Sequence, residues 1–134
     1  MRISRIQSDE LHPTPGYHHV TIVEADRTAY LAGQCPLDAS GAVVGTGDLM
    51  AQVDQVAANA LAALSAAGAT PGDVVRSVIY VASDRTAELA AVWDRLNAGP
   101  IAEAFTTAST LLGVAALGFP GQLVEVDLTA ALAG

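Results

Sequence analysis

The sequence predicts an α+β domain: a single mixed six-stranded sheet with two helices on one face, in the order β-β-β-α-β-α-β-β. Three observations carry this. Apolar residues alternate with polar ones at Val20 and Ile22, and again at Val124, Val126 and Leu128, which is the period of half-buried strands. They recur instead at spacings of three and four from Leu49 to Leu64 and from Leu89 to Leu96, the stripe of an amphipathic helix. Between the two helical stretches, residues 74–81 are apolar on both faces, as in a strand inside a sheet.

Taken in order, residues 2–6 make a short strand that stops before a loop marked by Pro13, Pro15 and Gly16. Residues 17–23 form the second strand, with Tyr17, His19 and Thr21 on one face, and residues 24–27 are a polar turn. Residues 28–32 return as its hairpin partner. Pro36 then ends regular pairing, so residues 33–41 are a structured loop, the kind of place where sites sit on a scaffold. Asp48 caps the first helix and Gly68 closes it. A capped turn at 70–73 leads into the central strand. The second helix covers residues 87–98, with Leu89, Val92, Trp93 and Leu96 as its core stripe, and Gly99 and Pro100 stop it. Residues 107–114 and 123–128 supply the last two strands. Arg76, inside the central strand, calls for an acidic partner. The sheet face away from the helices carries Thr21, Val78 and Tyr80, too apolar to be left in water, which predicts a homo-oligomer.

At 134 residues the chain reads as one domain, residues 1–134. Six Arg, no Lys and 14 acids give a net charge of −8, which leaves no electrostatic hold for nucleic acid. Cys35 is the one cysteine, so an internal disulfide is excluded. The start lacks the apolar stretch of a signal peptide and no apolar run is long enough for a membrane span, so the expectation is a cytoplasmic protein with no membrane partner. There is no phosphate loop, no nucleophile elbow and no Cys or His spacing suited to zinc, so no metal is expected.

What remains is a set of spaced elements: Pro15, Gly16 and Tyr17; Ala32, Gly33, Gln34, Cys35 and Pro36 with Asp38 and Gly41; Ala67 and Gly68 before Asp73, Val74 and Val75; then Gly113, Val114, Leu117, Pro120, Leu123, Val124 and Glu125. In this order and spacing they resemble the Rid (reactive intermediate deaminase) family, the YjgF-like proteins. The resemblance covers nearly the whole chain from Pro15 onward. It implies a chorismate-mutase-like subunit in a homotrimer, a small-molecule cleft between neighbouring subunits, and no cofactor or metal. The best-known members hydrolyse enamines and imines such as 2-aminoacrylate to 2-keto acids and ammonia. By that likeness Glu125 matches the water-orienting glutamate and Tyr17 the pocket tyrosine, with Gly33 and Gln34 beside them.

Three positions depart from the deaminase pattern. Counting back from Gly113 and Val114, the Arg that grips a substrate carboxylate is replaced by Ser109 or thereabouts, within Ala108, Ser109 and Thr110. The pocket serine before Gly33 is Ala32, and the Ser-Gln after the tyrosine is His18 and His19. This points to an Arg-lacking branch, since no neutral side chain replaces a bidentate ion pair.

The candidate catalytic residues are therefore Glu125 and Tyr17. The candidate binding residues are His19, Ala32, Gly33, Gln34, Ser109 and Thr110. Each has a plainer reading: Glu125 as the wet face of the last strand, Tyr17 as packing, and Ser109 and Thr110 as hydroxyls bonded to backbone. Cys35 reads as an inert thiol, for no cation neighbours it in sequence. The expected function is hydrolysis, or proton transfer, on a small imine, enamine or related carbonyl compound other than 2-aminoacrylate. The alternative is a non-catalytic trimer that binds a small metabolite or a protein partner.

Overall fold

The computed structural model describes residues 1–134, and its elements follow the expected order. Strand β1 is Arg2–Ile6, β2 Val20–Glu24, β3 Arg27–Tyr30, β4 Val74–Val81, β5 Ala108–Gly113 and β6 Val124–Leu132. Helix α1 is Leu49–Ala66 and α2 is Thr86–Asn97. The fold is the α+β arrangement the pattern predicts, with one correction to the sheet. The six strands divide into two sheets: β1 pairs antiparallel with β2, and the other four run in the order β3-β6-β4-β5. Only β4 and β5 are parallel; β6 is antiparallel to both of its neighbours.

Consequently β2 and β3 are not hairpin partners. Side chains close the seam between the sheets where a ladder would have continued: the Thr21 hydroxyl lies 2.5 Å from that of Thr107 and accepts the Ala108 N–H at 3.0 Å. A hydroxyl that satisfies a strand's first donor in this way competes with strand pairing. Strand β2 also begins three residues later than its alternation suggests. Gln7 Nε2 donates to the Tyr17 carbonyl at 2.8 Å, and Gln7 Oε1 accepts the His19 N–H, so side chains satisfy this backbone instead of a strand.

Both helices pack on one face of the four-stranded sheet. Asp48 accepts the Ala51 N–H at 3.1 Å as the cap of α1, and Gly68 turns the chain out with a positive φ. Val53, Val56, Ala60 and Leu64 of α1 then meet Ile79, Val81, Val124, Val126 and Leu128 in a dry core. The buried Gln52 ties the start of β6 to this helix: its Nε2 donates to the Gly45 and Gly121 carbonyls and its Oε1 accepts the Leu123 N–H at 2.7 Å. On α2, Val92, Trp93 and Leu96 are buried, and Trp93 Nε1 donates to the Pro15 carbonyl at 3.1 Å, which anchors the proline-rich loop.

Along β6 burial alternates, so Val124, Val126 and Leu128 face the helices while Glu125 and Asp127 lie on the open face. Arg76 has no acidic partner. The register sets Thr129 opposite it and Asp127 opposite Val78, and the guanidinium donates instead to the Ala108 carbonyl and to Thr110 Oγ1, at 3.1 and 2.6 Å.

Candidate functional site

Glu125 is held from three sides at the start of β6. Gln34 exchanges two backbone hydrogen bonds with Val126, at 2.7 and 3.1 Å, which draws the loop after β3 against the strand. Asn59 of α1 clamps the same loop, donating to the Cys35 and Leu37 carbonyls at 2.9 and 2.8 Å. Glu125 Oε1 accepts from Cys35 Sγ and from Gln122 Nε2, each at 3.1 Å. Oε2 accepts no hydrogen bond within the chain and lies over Gly33, whose missing side chain leaves the room it occupies. Glu125 is half-buried, with one oxygen fixed and the other open to a water or a substrate.

The Cys35 thiol is pushed up to about 11 by its burial and by the neighbouring Glu125. It acts as a hydrogen-bond donor to the carboxylate and is no nucleophile at neutral pH. Ala32 is exposed, and its carbonyl accepts from Gln34 Nε2 at 3.0 Å.

Tyr17 belongs to a different place. Its ring meets Trp93 edge-on at 6.0 Å, and together with Pro15, Ala90, Asp94, Ser109 and Leu111 the two rings line a mostly apolar cavity of about 250 Å³ on the helical side. The Ser109 hydroxyl is engaged within the chain: it lies 2.6 Å from the hydroxyl of the buried Ser77 and donates to the Thr107 carbonyl at 3.0 Å. Thr110 points the other way, toward Arg76 on the open face. His19 turns its Nδ1 to the Ser8 N–H at 3.1 Å, while the ring of His18 bonds to the Thr106 carbonyl.

The structure thus brings Glu125 together with Gly33 and Gln34, and Tyr17 together with Ser109, but in two separate places on opposite faces of one sheet. Three neighbours were missed from sequence. Gln122 follows a turn and Asp94 sits one residue from the core stripe, so only their spacing to Glu125 and Trp93 could have suggested them. His12, whose Nε2 lies 2.8 Å from the Tyr17 hydroxyl, had no periodic signal at all. The widest hollow, about 690 Å³ between the start of α2 and the end of β5, contains none of these residues and is open to solvent. No place in the chain gathers three or more His, Cys, Asp or Glu side chains fit to hold a metal ion. No helix is long and apolar enough to cross a membrane.

The family described as Endoribonuclease L-PSP matches residues 7–132. The chain is also similar to YyfB from Yersinia pestis, a protein of the conserved Rid protein family, at 38% identity over 98% of this chain and 100% of that one, with a TM-score of 0.89. The chain belongs to the Rid family. RidA from an Antarctic Psychrobacter is similar at 25% identity, covering 96% of this chain and 99% of that one, with a TM-score of 0.67. Protein DfrA of Myxococcus xanthus is 35% identical over 77 residues, 57% of this chain, and the match spans 59% of DfrA's own length. Rid membership supports a role of the small-molecule deaminase-like or endoribonuclease kind.

Proposed function

We propose that this Rid-family chain hydrolyses small imines or enamines that carry no carboxylate beside the C=N carbon, in a cleft between the subunits of a cytoplasmic homotrimer. One observation supports the reading: Glu125 and the Tyr17 cavity lie on opposite faces of one sheet, so a single site uses both only across a subunit boundary. Glu125, with Oε2 open, is suited to hold a water and take its proton as the water adds to the C=N carbon. Tyr17, in the apposed half, is suited to protonate the nitrogen that leaves.

The choice of substrate follows from charge. No Arg lines the Tyr17 cavity, and Asp94 does. A substrate carboxylate entering there meets a like charge and finds no bidentate partner. An RNA substrate, which the family description brings to mind, is opposed by the net charge of −8. The second reading, a non-catalytic trimer that binds a metabolite or a protein, draws on the Ser109 hydroxyl, which is already engaged by Ser77 and Thr107.

The test generates two kinds of imine in place: one from a primary amine with a flavin amine oxidase, the other from an amino acid with an amino-acid oxidase. Semicarbazide traps whatever imine escapes hydrolysis. The protein is expected to lower the semicarbazone yield from amine-derived imines and to leave the amino-acid series nearly unchanged. No effect on either series favours the binding trimer, and a preference for the amino-acid series refutes the substrate class.

A further inference from the structure

We propose that His12 and Tyr17 form a coupled acid–base pair that carries protons between solvent and the cavity beneath Tyr17. The pair deepens the hydrolase reading above and rests on it for its use, though not for its existence. Tyr17 spans two compartments. Its ring lines the cavity shared with Trp93 and Ser109, while its hydroxyl lies 2.8 Å from His12 Nε2, on the edge of a second hollow that opens to solvent. His12 itself is exposed.

The geometry is held and is not a chance contact of a loose loop. Gln7 Nε2 donates to Thr14 Oγ1 at 3.0 Å and to the Tyr17 carbonyl at 2.8 Å, and Thr14 Oγ1 bonds the same carbonyl, so residues 12–17 are closed into a turn. Trp93 fixes both ends of that turn's inner side, through the Pro15 carbonyl and the Tyr17 ring.

His19, which the sequence pattern sets on one strand face with Tyr17, is disqualified by its own bond. Its Nδ1 lone pair accepts the Ser8 N–H, so Nε2 carries the hydrogen, and that atom is buried with no partner. The ring of His12 packs edge-on against it at 5.2 Å. The titratable groups facing His12 are therefore Tyr17 and His19 by ring contact, and Asp9, which lines the same hollow.

A bond between a phenol and an imidazole survives both charge states of the imidazole. When the ring is neutral, Tyr17 donates to Nε2; when it is cationic, Nε2–H donates to the phenol oxygen. Water adds to the protonated imine and loses its first proton to Glu125, which releases it to solvent. As the C–N bond of the adduct breaks, Glu125 takes the remaining hydroxyl proton so that the carbonyl forms, the nitrogen takes the Tyr17 hydroxyl proton and leaves as ammonia, the His12 imidazolium reprotonates the phenolate, and solvent returns a proton to the exposed ring. Tyr17 touches the substrate, and His12 is a positioning residue acting through it.

The test begins with the ¹⁵N spectrum of the three histidines in the intact protein. Neutral His12 is expected as the Nδ1–H tautomer, because its Nε2 is an acceptor, and Tyr17→Phe should abolish that preference while leaving His19 as Nε2–H. An Nε2–H tautomer for His12, or one indifferent to Tyr17→Phe, overturns the pair. On amine-derived imines, His12→Gln keeps a hydrogen bond to the phenol but cannot titrate, so kcat should fall by about tenfold to a hundredfold with KM little changed, and the imidazole limb of the kcat pH profile should vanish. An unmoved profile overturns the relay. If the wild-type chain hydrolyses no imine while the tautomer signature is present, the hydrolase reading fails and the coupled pair stands.

Discussion

The Cys35 thiol donates to Glu125 Oε1 at 3.1 Å, so the one cysteine of the chain supports the carboxylate and is not a nucleophile beside it. Burial first, and the carboxylate second, push this thiol up to about 11 from 9.0. Cys35 is therefore expected to react with iodoacetamide at pH 8 more slowly than in the urea-unfolded chain, since the thiolate is the reactive form. The same shift sets a pH dependence of stability. The unfolded thiol ionises first, so the folded state binds the extra proton, and this contribution to stability is intact below about 9 and lost as pH rises toward about 11. Alkylation followed by mass spectrometry across that range checks it. Folded-state labelling at pH 8 as fast as in urea would contradict it.

Gly33→Ala tests the placement of Glu125. A Cβ at this position collides with the Glu125 carboxylate and the carbons behind it, so the side chain must shift and loosen its bonds from Cys35 and Gln122. Stability should fall by about 1–3 kcal/mol. Activity on amine-derived imines should fall by about a hundredfold, because a displacement of about an ångström is enough to spoil alignment. A protein that melts as wild type and works as wild type would show that the open Oε2 has no role.

Much of the fold was legible because it depends on local periodicity. The caps of α1, the apolar run of β4 and the alternation of β6 are all written within single elements. The division of the sheet was not, since it turns on the hydroxyl of Thr21 meeting Thr107 some 86 residues away. The site divides the same way. Glu125, Gly33 and Gln34 were found through their spacing, and the structure gathers them. His12 was invisible because a histidine in a proline-rich loop has no period, and its partner is set by how Gln7 and Thr14 fold that loop.

Ser109→Arg tests the charge argument in the opposite direction. Ser109 bonds the buried Ser77 hydroxyl, so the change leaves Ser77 without its partner and should cost about 1–3 kcal/mol, read as a lowered melting temperature. In exchange the Tyr17 cavity gains a cation beside Asp94. Turnover of imines derived from amino acids should rise by about tenfold or more, since a charge-assisted hydrogen bond to a carboxylate contributes about 1.5–3 kcal/mol. A stable variant with no gain on that series would show that this cavity does not receive the substrate's acid end.

The decisive prediction concerns the boundary between chains. Glu125→Gln removes the base while keeping size and hydrogen bonding, and Tyr17→Phe removes the phenol while keeping the ring that packs on Trp93. Each variant alone should assemble normally and lose about a hundredfold or more in activity. Asp127→Asn, on the same open face as Glu125, is the control and should stay near wild type. The two inactive variants are then unfolded together, mixed in equal amounts and refolded. If every site takes Glu125 from one subunit and Tyr17 from the next, about a quarter of the sites in randomly mixed rings recover both native groups, and activity returns in proportion. If both groups serve a site within a single chain, no mixing restores anything. Mixed assemblies confirmed by native mass spectrometry that remain inactive would refute the shared cleft, and recovery near a quarter would establish it from two chains that are each inert.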